Sequence, residues 1–578
     1  MNILGLGDVT GNHSHSSIAI VRDGSLLFAL SRERQSRLRN DSQFPAESIQ
    51  AGLNYLGLSL SDIDAVVCAY PPPRYYAGLL FHGWGDAVRS MGTLLLRAPH
   101  QLLRYLLPNL KKALFDPRGN HVLRMGIPPS KFQFVDHHLA HVTAAYCASP
   151  YDRALAISYG GFAPHADGTN RAGAVYLCEG NSIQWQQDIP MCATGCWFSG
   201  VTVALGYRYM QQESKTMGLA GLGKPDAAYK ACSGLATRYE NGRWQRYPYW
   251  LDTLLSPRSA AFLNTRTGRR LKRLLRSAAP QDLAAAAQQI WQENITAFVR
   301  NLLQQHKVRN LVLSGGTFQN IQINSELAQL PDIDGVYLHP HPGDGSTPIG
   351  AALHLWQQHA GKLPRHSLPD AGLGCEFSDA AVKDALARYK DRVLIKNIEN
   401  ASIYGAGLLS QNRIIGWFQG REEYGNRSLG HRCILAFPAG EHRLSINRIK
   451  GREDWIPVGV SCLAEHAASL FESFMPSPYA SFRFRFNPRY QDTHKFLLHC
   501  DGTIRVQSVD EHAYPEFRSL LQVFYERTGQ ALIFNSSLNR HAEPIVHTPA
   551  QAIDLLLNTS LDALIIGSFC VTARRDNV

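Results

Sequence analysis

The 578-residue sequence has no run of about 18 uncharged apolar residues, the least that would cross a bilayer, so no membrane span is expected. Its first residues, MNILGLGDVTGNHSHSS, lack a basic stretch and carry Asp8; they read as a buried strand and not as a secretory signal. The 11 cysteines are scattered and odd in number, and the nearest pair, Cys192 and Cys196, has no second pair at zinc-ribbon spacing. A disulfide framework and a cysteine-zinc site are therefore disfavoured, and a reducing, cytoplasmic location is expected. With 45% hydrophobic and 18% charged residues, wholesale disorder and coiled coil are excluded. No basic tail is present: the net charge of +11 is spread along the chain. Nucleic acid is thus not favoured as a partner, and anionic small substrates or a solubilising surface account for the excess.

Two stretches share a pattern. NILGLGDV, SSIAIVRDG and SLLFALSRER read as three strands, with a hairpin turn at Asp23-Gly24. RALAISYGG, AGAVYLCEGN and SIQWQQDIP repeat the arrangement further on. The duplication predicts an α/β domain of the actin-like, sugar-kinase-like plan over residues 1–360. Leu80–Phe115 is leucine-rich with interspersed Arg and Lys; Pro99 and Pro108 favour short packed helices over a membrane-surface helix. Residues 260–306 read as amphipathic helices. His359–Ser378, with Gly361, Pro364 and Pro369, reads as a boundary. RVLIKNI, RIIGWFQGR, RFRFNPR and ALIFNSS then give the strands of a smaller α/β domain over 379–578.

Five motifs carry chemistry. In Val135–His141, a helix would bring His137 and His141 to one face, as a single metal ion requires, although two structural histidines fit as well. Ser314-Gly315-Gly316, followed by Asn320 and Asn324, and HPGDGSTPIG from His341 are glycine turns whose N–H groups can approach an anion; Asp344 on the second is a candidate ligand. ESKTMGLAGLG, containing Lys215, is either an anion loop or a helix with a glycine stop. The densest motif is GWFQGREEYGNRSLGHR, with Arg421, Arg427 and Arg432, joined downstream by NRIKGREDW, DGTIRVQ and FNSSLN. Arginine forks beside Gly, Ser and Asn fit a nucleotide or acyl-phosphate pocket.

Taken together and in order, these motifs resemble the ATP-dependent O-carbamoyltransferase family, which includes tobramycin, cephem and nodulation-factor enzymes. The resemblance runs through GWFQGREEYGNRSLGHRCILA, INRIKGREDWIPVGVS, DGTIRVQSV and NSSLNRHAEPIVHTPAQAI, and earlier through VDHHLAHVTAAY, ESKTMGLAGLG, LSGGTFQNIQIN and PHPGDGSTPIGAAL. It implies an N-terminal domain like the tRNA threonylcarbamoyl transferase (TsaD-like, of the actin-like ASKHA class) and a YrdC-like C-terminal domain. It further implies that carbamoyl phosphate and ATP, with Mg(II) as its counterion, form carbamoyl adenylate in the C-terminal domain. The carbamoyl group then passes to a hydroxyl of a small natural-product acceptor in the N-terminal domain. A homodimer would be compatible with this scheme.

On this resemblance Arg421, Arg427, Lys450, Arg452 and Arg505 hold phosphates, with Lys450 and Arg452 catalytic. Asn535, Ser536 and Ser537 line the same pocket. Lys215, Gly315, Gly316 and Asn320 contact substrate in the N-terminal domain, and His137, His141 and Asp344 ligate an iron-type divalent ion, Fe(II). Two positions depart from the family. Tyr159 stands where a ligating Asp is usual, with His165 and Asp167 nearby in sequence. Ser14 stands where a catalytic histidine is usual, flanked by His13 and His15 as candidate bases. These departures leave open a relative that adenylates a substrate acid for amide or ring formation, and the fold kinship leaves open a tRNA-modifying one.

Overall fold

The computed structural model describes residues 1–7, 15–69, 126–164, 169–255 and 259–574. They divide into two compact units. The first comprises Met1–Leu27, Asn40–Ala46 and Leu58–Ser367, the second Phe28–Arg39, Glu47–Gly57 and Leu368–Val578. The Ser367–Leu368 junction falls in the stretch read as a boundary. The first expected domain needs a correction, however, because Phe28–Arg39 and Glu47–Gly57 belong to the second unit. The reason is visible in their contacts. Arg34 donates to the carbonyls of Glu423 and Gly425 at 2.8 and 2.9 Å, and Arg37 to those of Pro544 and Ile545 at 2.7 Å. Partners 389 to 508 positions away leave no mark on local sequence pattern.

The first unit holds two sheets of one design. Strands β1 (Asn2–Leu6), β2 (Ser17–Arg22), β3 (Ser25–Ser31), β4 (Ala65–Cys68) and β5 (Phe132–Phe134) are ordered β3-β2-β1-β4-β5, and the chain leaves the first unit within β3. The second set is β6 (Arg153–Pro164), β7 (Asn170–Glu179) and β8 (Ser182–Pro190), then, after a small hairpin of β9 (Arg238–Glu240) and β10 (Arg243–Gln245), β11 (Asn310–Ser314) and β12 (Gly335–Leu338). Its order is β12-β11-β6-β7-β8. In each sheet the first strand pairs antiparallel with its hairpin partner and parallel with the later strand, β4 or β11. That repeated order is the duplicated actin-like plan. Asp23 and Gly24 both take positive φ, 49° and 79°, as a tight primed hairpin turn demands.

The apolar runs of β1, β4, β6 and β11 are buried on both faces, which helices on the sheets require. Helices over Ser259–Leu263, Arg266–Leu274 and Pro280–His306 occupy the stretch read as amphipathic. The longest buries Leu283, Ala287, Ile290, Trp291, Phe298 and Leu302 along one stripe. The helices His137–Ala148 and Thr347–Ala360 touch backbone to backbone. A Cβ on Gly350 would sit 1.7 Å from the Ala140 carbonyl oxygen, so nothing larger than hydrogen fits.

The second unit is built on β13 (Val393–Asn397), β14 (Ile415–Phe418), β15 (Arg432–Ala436), β16 (Gly459–Leu463), β17 (Phe482–Phe484), β18 (Ile504–Val509), β19 (Leu532–Ser537), β20 (Ala563–Ile566) and β21 (Phe569–Ala573). They form one mixed sheet in the order β13-β21-β20-β14-β15-β19-β16-β18-β17. This is the smaller α/β domain expected, and the four strands read there from sequence are β13, β14, β17 and β19. Leu80–Phe115 lies outside the described residues. Among the described residues no helix is long and apolar enough to cross a membrane.

Gly350→Ala should cost about 1–3 kcal/mol through overpacking of the helix pair. Denaturant unfolding should show it against Gly234→Ala, whose added methyl meets ordinary contacts at 3.7 and 3.8 Å.

Candidate active sites of the two units

In the first unit, Asp136 caps the helix His137–Ala148 by accepting from the Leu139 N–H at 3.0 Å. One turn of that helix brings the rings of His137 and His141 to 4.6 Å, while His138 turns away to Ser158 at 3.0 Å. Asp344 comes from the loop ahead of the helix Thr347–Ala360. Its Oδ1 lies 3.9 Å from His137 Nε2 and 3.4 Å from His141 Nε2. The three ligand atoms converge within 4.8 Å. Ser346 Oγ donates to the Gly343 carbonyl at 3.1 Å and lies 3.3 Å from His141 Nδ1. With that donor committed, His141 Nδ1–H is the donor to Ser346, which leaves the Nε2 lone pair facing Asp344.

Around this cluster the predicted residues divide. His15, with φ of 74°, sets its ring edge-on to His341 at 5.3 Å, and Ser17 Oγ is 3.4 Å from the Gly345 carbonyl oxygen. His15 therefore stands against the loop that carries Asp344, whereas His13, His165 and Asp167 lie outside the described residues. Tyr159 is fully buried, donates to the Ala193 carbonyl at 2.7 Å, and packs against Trp291 and Trp244. It is a core residue, and the cluster has three ligand-bearing side chains among the described residues. Gly315 takes φ of 94° with Tyr159 backbone atoms 2.3–2.7 Å from where a Cβ would stand. The space beside Gly316 is open. Asn320 caps the helix Ile321–Ala328 and is bonded to Gln288 at 2.9 Å, a structural role. Lys215 lies on the helix Glu213–Ala220 with its ammonium 5.6 Å over the Tyr207 ring. Of the two readings of that motif, the helix with a glycine stop is the one observed. Sequence reasoning missed Tyr209. Burial first, then Cys196, Glu213 and Asp344, hold its phenol far above the usual range.

In the second unit, strand alternation sorts polar from apolar side chains. Gly459 and Ser461 on β16, Arg505 and Gln507 on β18, and Asn535 and Ser537 on β19 fall on one face. Asn535 Nδ2 donates to Ser461 Oγ at 2.9 Å and to Gln507 Oε1 at 3.2 Å, and its Oδ1 accepts from Ser428 at 3.0 Å. Gln507 in turn donates to the Leu429 carbonyl at 2.6 Å, fastening the loop that carries Arg427 over this face. Ser536 points to the opposite face, so the structure does not bring it to the pocket. Ser461, Gln507 and Gly459 were missed; polar residues at every second position of otherwise apolar strands were the available signal.

Arg427 and Arg505 make no hydrogen bond or ion pair with any described residue. Burial pushes the Arg505 guanidinium down to about 10, and burial followed by Arg505 pushes Arg427 well down. Across β17 and β18, Arg505 is directly opposite Arg483, a like-charge pair offset because Arg483 is bonded to Asp501. Arg452 is aimed by Asn447, whose Oδ1 accepts from its Nε at 2.6 Å. Burial and then Arg505 lower it to about 9. Lys450 ends the helix Gly440–Lys450 and donates to Ser537 O at 2.6 Å and Asn539 Oδ1 at 2.6 Å. Burial, then Arg452, Arg39 and Arg505, push its ammonium well below the ordinary lysine value.

The other two arginines of the glycine-rich motif are spent on structure. Arg421 donates to the carbonyls of Gly374 and Leu373 and lies over the Tyr55 ring, away from the expected phosphate role. Arg432 is fully buried, donates to Gln419 O at 2.7 Å and Gly420 O at 2.9 Å, and stacks 3.6 Å over Phe418. Beside it, Glu422 accepts from His547 Nδ1 at 2.8 Å, with Arg34 3.9 Å from its other oxygen.

Residues 88–353 match the carbamoyltransferase N-terminus, and residues 406–573 the carbamoyltransferase C-terminus. The chain belongs to the carbamoyltransferase family and is an enzyme of that class. It is 29% identical over 579 residues to nodulation protein NolNO of Sinorhizobium fredii, a match covering 98% of this chain and 80% of the relative. Nodulation protein NolO of Bradyrhizobium diazoefficiens is 28% identical, with 76% and 79% covered, and nodulation protein U of Sinorhizobium fredii 25%, with 93% and 94% covered. Among solved structures, full-length HypF in the phosphate- and nucleotide-bound form aligns at 13% identity and a TM-score of 0.31, covering 63% of this chain and 47% of that one.

Burial raises the Glu422 carboxyl, but His547, Arg34 and Arg432 outweigh it, so its pKa is lowered overall. A depressed carboxylate stabilises the fold above its unfolded pKa of about 4.3, and that contribution is lost as pH falls through the folded value. Glu422→Gln should therefore cost about 3 kcal/mol at neutral pH, because it leaves buried cations unmatched. Denaturation midpoints of the two proteins should converge as the pH is taken below the carboxylate range.

Proposed function

We propose that the enzyme makes carbamoyl adenylate from carbamoyl phosphate and ATP in its second unit and transfers the carbamoyl group to a hydroxyl of a small natural-product acceptor in its first. The observation that carries this reading is the pair of neighbouring guanidiniums, Arg427 and Arg505, that meet no carboxylate among the described residues. Such groups suit multiply charged phosphates.

In this scheme water breaks the P–O bond of carbamoyl phosphate, releasing inorganic phosphate and carbamate, and the carbamate oxygen attacks the α-phosphorus of ATP. Pyrophosphate leaves with the electron pair of the broken P–O bond. Arg427, Arg452 and Arg505 offset charge that builds on the phosphoryl oxygens. Lys450 holds Ser537 and Asn539 in place and lends a further positive charge. The amide of Asn535 and the hydroxyls of Ser428 and Ser461 offer neutral partners for the uncharged end of the adenylate. Adenylation matters because a carbamate anion is a poor electrophile, and AMP is a far better leaving group than oxide.

In the first unit the acceptor hydroxyl attacks the carbamoyl carbon and AMP departs. His15 is the candidate to take the hydroxyl proton, since its Nδ1 is buried and has no partner among the described residues. Two imidazole nitrogens and one carboxylate converging from one side fit an iron-type divalent ion with open positions, held by His137, His141 and Asp344. When bound, such an ion would act as a Lewis acid on the carbamoyl oxygen. All eleven cysteines are free thiols, which suits a cytoplasmic enzyme.

Supplied with ATP, carbamoyl phosphate and an acceptor, the enzyme should release AMP, pyrophosphate and phosphate, read by phosphorus NMR. Release of ADP would defeat the adenylate route. Arg505→Ala should lower AMP formation by on the order of a hundredfold or more. His137→Ala should retain AMP formation and lose acceptor carbamoylation; equal loss of both would count against separate sites. Elemental analysis should find about one divalent ion per chain, absent from a His137→Ala, His141→Ala double variant.

A further inference from the structure

Strand β18 sets Arg505 between two very different neighbours. On β17 it pairs with Arg483. On β16 the register that matches Val460 to Val506 brings Gly459 level with it, and Gly459 in turn pairs with Asn535 on β19. The side chain of Arg505 takes the β16 side. A Cβ at Gly459 would stand 2.9 Å from Arg505 Nε, 3.0 Å from its Nη2 and 3.4 Å from its Cζ, the three nearest atoms to that point. The guanidinium therefore lies over the glycine itself, and its buried Nε has no hydrogen-bond partner among the described residues. Leaning this way carries the charge away from Arg483, which is held by Asp501, and over the face that bears Ser461 and Asn535.

A second guanidinium reaches the same end of β16. Arg452 donates from Nε to Asn447 Oδ1 at 2.6 Å, and its Nη2 is 3.5 Å from the carbonyl oxygen of Pro457, two residues ahead of Gly459. The effect of Arg505 on Arg452, second to that of burial, agrees with this closeness. Two cations thus converge where the strand begins, an arrangement that an anionic ligand offsets. The φ of Gly459 lies outside the left-handed region, so the backbone itself would accept alanine. What demands a bare Cα here is the arginine lying on it.

We propose that Gly459 is a positioning residue for phosphate binding in the second unit: its missing side chain is the seat on which the Arg505 guanidinium lies at the start of β16, beside Arg452. This rests on the reading of that unit as the nucleotide site. Gly459 acts through Arg505 and not through a contact of its own.

The test uses the full-length chain and calorimetric titration with the α,β-methylene analogue of ATP at one fixed salt concentration. The added methyl must lift the guanidinium, and loss of a charged hydrogen bond to phosphate implies that Gly459→Ala weakens the analogue by about tenfold, with the thermal midpoint not lowered. The same substitution should cost nothing further in an Arg505→Ala background, where no guanidinium remains to be displaced, and should keep its full effect in an Arg427→Ala background. Unchanged affinity in Gly459→Ala, alongside a loss in Arg505→Ala, would overturn the role of the seat and leave the pocket standing. A further loss on adding Gly459→Ala to Arg505→Ala would show that the methyl acts on something other than Arg505, and would overturn it too. No loss in Arg505→Ala would remove the nucleotide site itself, and the inference with it.

Discussion

Arg427, Lys450, Arg452 and Arg505 are gathered on one side of the second unit's sheet, where the opposing acids that act on them are few, chiefly Glu453 and Glu543. Burial lowers the pKa of all four, which means that the fold alone bears a cost for keeping them charged. Anything that brings negative charge to this face returns that cost as binding energy and stabilises the folded state. Arg421 and Arg432 show the contrast within a single motif. Their guanidiniums donate to backbone carbonyls and lie over aromatic faces, and so build the loop. Residue type alone does not separate the two roles; the partners do.

The first unit solves a different problem, holding two imidazoles and a carboxylate a few ångströms apart with little freedom. Its means are steric. The close backbone approach at Gly350 and Ala140 fixes the helix bearing His137 and His141 against the helix that follows Asp344. Ser346 then orients His141 through the nitrogen that does not face the cluster. Tyr159 is turned into the aromatic core by Trp291 and Trp244, so the chain leaves the cluster with three ligand-bearing side chains among the described residues and a more open side than four ligands would give.

Much of this was legible in the sequence because it is local. The i, i+4 histidines, the Asp-Gly hairpin and the alternating strands all depend on spacing within a dozen residues, and the duplication is the same local pattern met twice. Asp344 could be joined to His137 and His141 only through the family resemblance, since no periodicity links a loop to a helix 200 positions earlier. The failures have the same origin. Arg421 and Arg427 are six residues apart in one glycine-rich loop, and only the tertiary positions of Leu373, Gly374 and Tyr55 decide that the first is structural. Asn320 looks like a ligand until Gln288, on a different helix, is seen to hold it. Ser536 was grouped with Asn535 and Ser537, although the two-residue period of a strand already turns it to the other face. The membership of Phe28–Arg39 in the second unit was invisible because it rests on hydrogen bonds to carbonyls, and every residue has one.

The two halves of the proposed reaction make opposite electrostatic demands, and the two units differ in that sense. Joining carbamate to a nucleotide brings anions together, so the pocket must be cationic. Deprotonating a hydroxyl needs a group that can keep a proton, which a cationic pocket opposes. His499 illustrates the conflict inside the second unit. Burial and, against the pull of Asp501, the charges of Arg505, Arg483 and Arg443 lower its pKa far below the ordinary histidine value. An imidazole in such surroundings stays neutral at physiological pH but has lost the basicity that proton abstraction requires. His137 and His141 have the Asp344 carboxylate for a neighbour in place of guanidiniums. A single pocket could not provide both fields, and a chain that keeps its arginine cluster and its histidine cluster in separate compact units meets each requirement without compromising the other.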